Sequence, residues 1–160
     1  MEEKTLIEKL KSNDENSFRI LVDLFKKKVF NTSLSIIQNI DDADDISQDV
    51  FIQIFKSINK FKGNSSLSTW IYKITISKSF EYIRYKKRKK RFSTLLKLFR
   101  EDGSIIDIPD FVHPGILLER KEDSKLLFEA IEKLNQYQKQ AYILKNITGL
   151  SYKEIGEVMN

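Results

Sequence analysis

Apolar residues recur three and four positions apart along most of the chain, so nearly every segment reads as helix. Thr5 to Leu10 gives a short amphipathic turn or two. A long helix follows, with Asn13 as its expected N-cap and Phe18, Leu21, Val22, Phe25, Val29 and Phe30 on one stripe that continues through Leu34 and Ile37. "NIDDADD" interrupts the stripe. The next helix is expected from near Asp42, with Ile46, Val50, Phe51, Ile54, Phe55 and Ile58 inward. "FKGNSS" reads as a loop, since Gly63 and Asn64 supply turn chemistry. Ser66 or Ser68 can cap the helix after it, whose apolar face includes Leu67, Trp70, Ile71, Ile74 and Ile83 and which runs into "RYKKRKKR".

The pattern changes at residue 92. "FSTLLKLFR" is still amphipathic, but "EDGSIIDIPDFVHPG" holds two prolines and two glycines, so residues 92–116 read as a linker. Helix resumes near Leu117, with Leu126, Leu127, Ala130, Ile131 and Leu134 inward. Asn135 can cap a further helix carrying Ala141, Tyr142, Leu144 and Ile147, and Gly149 is its expected stop. Ser151 and Glu154 then form a capping box ahead of Ile155, Val158 and Met159. The expected fold is therefore all-α: two small helical domains, 1–91 and 117–160, joined by that linker.

Charge sharpens this picture. The net charge of +5 is not spread evenly. Residues 1–83 are neutral overall, residues 84–100 carry nine basic side chains and no acid, and residues 101–160 are net −4. A basic excess confined to 17 residues points to a polyanion partner more strongly than a high isoelectric point does. The chain has no cysteine, which removes disulfides and thiolate metal sites and fits a reducing cytoplasm. No apolar run approaches the roughly 18–20 residues that cross a bilayer, and the acidic start "MEEKTLIEKL" is not a signal peptide.

Two constellations carry candidate chemistry. The first is "DDADDISQDVF", with five aspartates in nine residues. Asp41 and Asp42 suit a helix N-terminus. Asp45 and Asp49 lie one turn apart and share a face with Gln48 and Ile52; like charges at that spacing repel, and a basic partner surface would relieve them. A calcium loop counted from Asp42 would need glycine at Ser47 and a carboxylate at Gln53, so calcium does not fit. The second constellation interleaves Phe61, Trp70, Tyr72, Phe80, Tyr82 and Tyr85 with polar and basic residues. Aromatic faces can stack on unpaired bases at roughly 1–3 kcal/mol each while cations follow the phosphates. Trp70 and Phe80 lie on the apolar stripe, where a core role competes with stacking. Lys86, Lys87, Arg88, Lys89, Lys90 and Arg91 continue the same helix as rigidly displayed charge, or form only a solvated or membrane-surface run. Catalysis has little to build on: the only histidine is His113, in the proline-flanked linker, and there is no phosphate-binding glycine loop.

In this order the pieces resemble the sigma-70 family of bacterial RNA polymerase initiation factors, in its small extracytoplasmic-function (ECF) type. "DADDISQDVF" with "STWIYKI" about twenty residues later, then a basic helix, carries the resemblance; "LFEAIEKLNQYQKQAYILKNITGLSYKEIGEVMN" resembles the start of the family's C-terminal helix-turn-helix domain. The resemblance implies that Asp45, Gln48, Asp49 and Ile52 dock on the clamp helices of the polymerase's largest subunit. It implies that Gly63, Asn64, Ser65, Ser66, Trp70, Ser77, Lys78, Glu81 and Arg84 hold flipped single-stranded bases of the −10 element. The run Lys86–Arg91 would contact phosphate upstream. Core polymerase and promoter DNA are the implied partners. An anti-sigma factor is a further candidate that no motif selects, and no cofactor or small-molecule substrate is implied. The family commonly has Asn where Ser77 stands and Asp where Glu81 stands, which leaves base preference there open. The helix that reads the −35 element would follow Asn160, so the chain is expected to be a truncated form, or else a short factor relying on −10 contacts alone, in either case with weak or absent −35 recognition. The competing readings are a plain helix-turn-helix regulator, a basic module that binds membrane surfaces or acidic proteins, and, least supported, a phosphodiester enzyme.

Overall fold

The computed structural model describes residues 2–98, 130–131 and 133–159, with side chains as far as residue 91 in the first stretch. Among them are six α-helices and no strand: α1 (Glu3–Lys11), α2 (Glu15–Ile37), α3 (Ile40–Ser57), α4 (Leu67–Leu98), α5 (Gln136–Asn146) and α6 (Tyr152–Met159), with a 3-10 turn at Ile58–Lys60. The linker beyond residue 98, His113 and most of the helix expected from Leu117 lie outside the described residues; of that helix Ala130 and Ile131 are helical and Ile131 is buried, as expected. Helix α4 passes Arg91 without a break, so the change of composition there is not a change of backbone.

The helix ends show local chemistry at work. Asn13 does not cap α2. It takes a left-handed φ of 59° and returns its N–H to Leu10, ending α1, and Asp14 becomes the cap by accepting from Ser17 N at 2.8 Å. Asparagine tolerates that conformation because its short side chain costs little there. Gln38 does the same at the end of α2, with φ 56°. Asn39 then caps α3 by accepting from Asp42 N at 2.9 Å, so α3 starts at Ile40 rather than near Asp42.

Helices α1 to α4 close around one core of Leu6, Leu10, Leu21, Val50, Ile54 and Ile71, with others. Of the stripes read from the sequence, Leu21, Val29, Ile46, Val50, Ile54, Ile58, Leu67 and Ile71 are buried in it, whereas Val22 and Phe30 are only half-buried at its surface and Phe55 is half exposed and meets Phe18 edge-on at 5.2 Å. A seam of small hydroxyls is also buried. Thr32, Ser35, Ser47 and Thr75 each donate to the carbonyl four residues back, and Ser79 meets Ser33 across α2 and α4 at 3.4 Å. These residues bring the backbones close without leaving a polar group unpaired.

A second core joins α2 and α4 to the C-terminal helices. Ile36, Tyr72, Ile76 and Phe80 pack against Ile143, Leu144, Leu150, Ile155 and Val158. Helix α4 thus presents one apolar face to the bundle and a second to α5 and α6. Asn135 and Gln138 make a reciprocal capping box at the start of α5. Gly149 turns with φ 72°, and Ser151 pairs with Glu154 in the expected box, Ser151 N to Oε2 2.9 Å and Glu154 N to Oγ 3.3 Å. Ile147, expected inward, is exposed, because α5 ends at Asn146 and the chain turns there.

Candidate nucleic-acid and partner interface

The first surface is the outer face of α3. Asp45, Gln48, Asp49 and Ile52 are all exposed there, Ile52 by 50%. The core side of the same helix buries Ala43, Ile46, Ser47, Val50 and Ile54. An acidic strip that ends in an uncovered isoleucine is thus carried on a helix whose opposite side is packed into the core. Gln48 donates to Asp44 Oδ2 at 3.0 Å. Beside it, between α2 and α3, runs a shallow groove lined by Val22, Phe30 and Phe51 and rimmed by Lys26, Lys27 and Asp44.

The second surface begins at the loop before α4. Gly63 adopts φ 74°, which only glycine takes without strain, and a Cβ there would meet nothing within 4 Å, so the requirement is conformational. Gly63 and Asn64 are exposed, Ser65 and Ser66 half-buried. Ser66 caps α4: its Oγ accepts from Thr69 N at 3.1 Å and pairs with Ser68 Oγ at 3.0 Å and Thr69 Oγ1 at 2.8 Å. Trp70 is half-buried, its ring 5.2 Å from that of Phe61.

Along α4, Ser77, Glu81 and Arg84 are exposed on one stripe, with Lys78 half-buried beside them. Ser77 Oγ donates to Glu81 Oε1 at 3.3 Å, so the two departures from the family pattern touch each other. A groove between α3 and α4 is lined by Gln53, Lys73, Ile74, Ser77, Lys78 and Glu81. Gln53 and Lys73 were not singled out from the sequence. Lys73 sits one turn before Ser77, a spacing that could have flagged it; Gln53 comes from another helix and left no signal. Tyr72 and Phe80, weighed above as base stackers, are buried beneath α5 and α6, where only their packing is used.

The basic run is not uniform. Lys86 donates to Asp42 Oδ2, and Tyr82 OH donates to the other oxygen of the same carboxylate. The Lys86 ammonium also lies 5.3 Å from the Tyr82 ring centre. The hydrogen bond to Asp42 pushes the Lys86 pKa up; partial burial, then the Asp42 bond, raises that of Tyr82. Asp42 therefore anchors the first lysine of the run to α3, besides lying in the first turn of that helix. Lys87 to Arg91 are exposed. Among the described residues no group of three or more His, Cys, Asp or Glu could hold a metal ion, and no helix is long and apolar enough to cross a membrane.

Family models match both parts of the chain: "Sigma-70 region 2" over residues 21–89 and "Sigma-70, region 4" over residues 124–160. The chain belongs to the sigma-70 family. The sigma-70 match takes in both candidate surfaces and the C-terminal helix pair. Among curated relatives, the ECF RNA polymerase sigma factor SigW of Bacillus subtilis is 29% identical over 160 residues, covering 98% of this chain and 84% of SigW. Among solved structures, the sigma factor RpoE of Bartonella quintana, in complex with the anti-sigma factor NepR, superposes with a TM-score of 0.66 at 20% identity, over 89% of this chain and 82% of RpoE. An engineered region 2 of sigmaE, in complex with GTAAAA, superposes with a TM-score of 0.52 at 25% identity, over 56% of this chain and 93% of that one.

Proposed function

We propose that the chain is an ECF sigma factor that works through two adjacent helices: α3 docks on core RNA polymerase and α4, with the loop before it, captures the separated −10 strand. The observation that carries this reading is the pair of exposed surfaces one helix apart, the Asp45–Ile52 face and the Gly63–Arg84 surface, inside a region that matches sigma-70 region 2. The acidic face of α3 is preformed and open, as a docking surface for basic clamp helices must be. Bases leaving the duplex can enter the α3–α4 groove, where Gln53, Ser77, Lys78 and Glu81 offer donors and acceptors for base edges. Capturing the melted strand and not the duplex shifts the opening equilibrium by the difference in affinity, with no chemical step by the chain.

Residues 1–91 form the polymerase and −10 unit in this reading, and 117–160 the region 4-like unit. The cations from Lys86 to Arg91 follow upstream phosphates; Lys86 would exchange Asp42 for a phosphate to join them. Polymerase binding places the chain in the bacterial cytoplasm, and an anti-sigma protein is a fitting further partner, since RpoE was solved with one.

A pull-down with core RNA polymerase tests the docking face. Asp45→Lys/Asp49→Lys is expected to abolish capture while leaving the helical circular dichroism unchanged; equal capture of both proteins would refute the assignment. For the basic run, affinity for forked DNA should fall with salt at a slope of about −0.7 per phosphate contact on single strands. A flat response would mean that the run is only solvated.

A further inference from the structure

Helix α1 lies outside the residues matched by the region 2 model, which begin at 21. Yet its glutamate reaches the start of α4: Glu3 Oε1 accepts from Leu67 N at 3.0 Å, across 64 positions of sequence. Leu67 is the first residue of α4 and follows the Gly63–Ser66 loop directly. A helix start leaves its first N–H groups without partners inside the helix, and a carboxylate there meets both those donors and the positive end of the dipole. Ser66 takes the N–H of Thr69 and Glu3 takes that of Leu67.

The other side of the loop is fixed too. Phe61 is buried, returns its N–H to Ile58 at 3.0 Å, and holds its ring against Trp70. Lys62 to Ser65 therefore span between two anchors, and Glu3 makes one of them. The glutamate is itself exposed, whereas Leu6 and Leu10 hold α1 in the core. Loss of its carboxylate would leave α1 docked and release only the Leu67 anchor.

We propose that Glu3 is a positioning residue for base reading: acting through the Leu67 N–H, it fixes the Gly63–Ser66 loop in the shape that selects −10 bases. The proposal rests on the reading of that loop given above. The test uses the 160-residue chain bound to core polymerase and a pool of forked DNA with a randomised −10 hexamer, sequenced before and after capture. Glu3→Ala should flatten the base preference at the loop-read positions about fivefold, in line with the loss of one helix-cap bond. Its affinity for core polymerase should stay at the wild-type value, and its thermal unfolding should fall by no more than the loss of one cap bond accounts for. Glu3→Gln keeps an acceptor for Leu67 and should restore the preference. Asn64→Ala, in the loop itself, should lose it. Wild-type preference in Glu3→Ala beside a lost preference in Asn64→Ala would overturn the role of Glu3 and leave the loop's role standing. Unchanged preference in Asn64→Ala would overturn the loop's role and the proposal with it. A Glu3→Gln protein as impaired as Glu3→Ala would place the effect in the charge and overturn action through Leu67, and weakened polymerase binding by Glu3→Ala would show a merely structural residue.

Discussion

The N-terminal bundle and the C-terminal helix pair solve the same problem in different ways. The bundle buries Leu21, Val29, Val50, Ile54 and Ile71 among its own helices. The pair, of 11 and 8 residues, puts Ile143, Leu144, Ile155 and Val158 into a core whose other half is Ile36, Tyr72, Ile76 and Phe80. Helices of those lengths bury too little alone. The difference teaches that one unit is closed on itself while the other is completed by its neighbour, and that α4 is the shared wall between them.

The largest effect should come from the closed core. Leu21→Ala removes a fully buried side chain and is expected to cost about 2–5 kcal/mol, lowering the urea midpoint seen by the single tryptophan, Trp70. Leu144→Ala, equally buried, should loosen α5 and α6 and leave the Trp70 midpoint nearly unchanged. If both substitutions shift Trp70 alike, the two regions unfold as one and the contrast is lost.

A charge on the shared wall comes next. Phe80→Asp buries a carboxylate without a partner at a cost of several kcal/mol, which separation of the two regions relieves. Limited proteolysis should then cleave between residues 135 and 159 early while the bundle resists. Unchanged protection there would mean that this contact does not hold the pair. Smaller still is Asn135→Ala, which removes one side of the α5 capping box and should cost about 1 kcal/mol, confined to the C-terminal pair.

The smallest effect is set by pH and touches both regions. Hydrogen bonds from Ser17, side chain then backbone, hold Asp14 below the usual carboxylate range, and those from Ser151 do the same for Glu154. Folded pKa values below the unfolded ones mean that this stabilisation is complete above the unfolded value. It fades as pH falls through the lowered folded value. Asp14→Asn should remove the acid-side decline of the bundle alone and Glu154→Gln that of the pair alone, as followed by thermal unfolding from neutral into acid solution. Asp14 is exposed and Glu154 no more than half-buried, so each decline should be slight.

Much of this was legible in the sequence because its causes are local. The buried positions Leu21, Val29 and Leu34 of the α2 stripe, the Asn135 cap and the Ser151–Glu154 box depend on neighbours within a few residues, and each stands in the structure. The exposed acidic strip of α3 was legible for the same reason, as helical spacing puts Asp45, Asp49 and Ile52 on one face. What could not be read has distant causes. Tyr72 and Phe80 appear as aromatics among polar residues, and only residues some 70 positions away make them core. Lys86 looks like any other member of its run until Asp42, 44 positions earlier, is seen to hold it. Asn13 and Asp14 are both good caps by composition, and only the course of the backbone out of α1 decides between them.

The continuity of α4 makes it a ruler. Its 32 residues, at about 1.5 Å each, extend about 48 Å from the loop at its start, and they fix the angular phase of the cations relative to that loop as firmly as the distance. One alanine inserted after Arg84 would lengthen the gap by only about 1.5 Å yet swing Lys86 to Arg91 by about 100° around the axis. A strand threaded along both sites would feel that rotation far more than the added length.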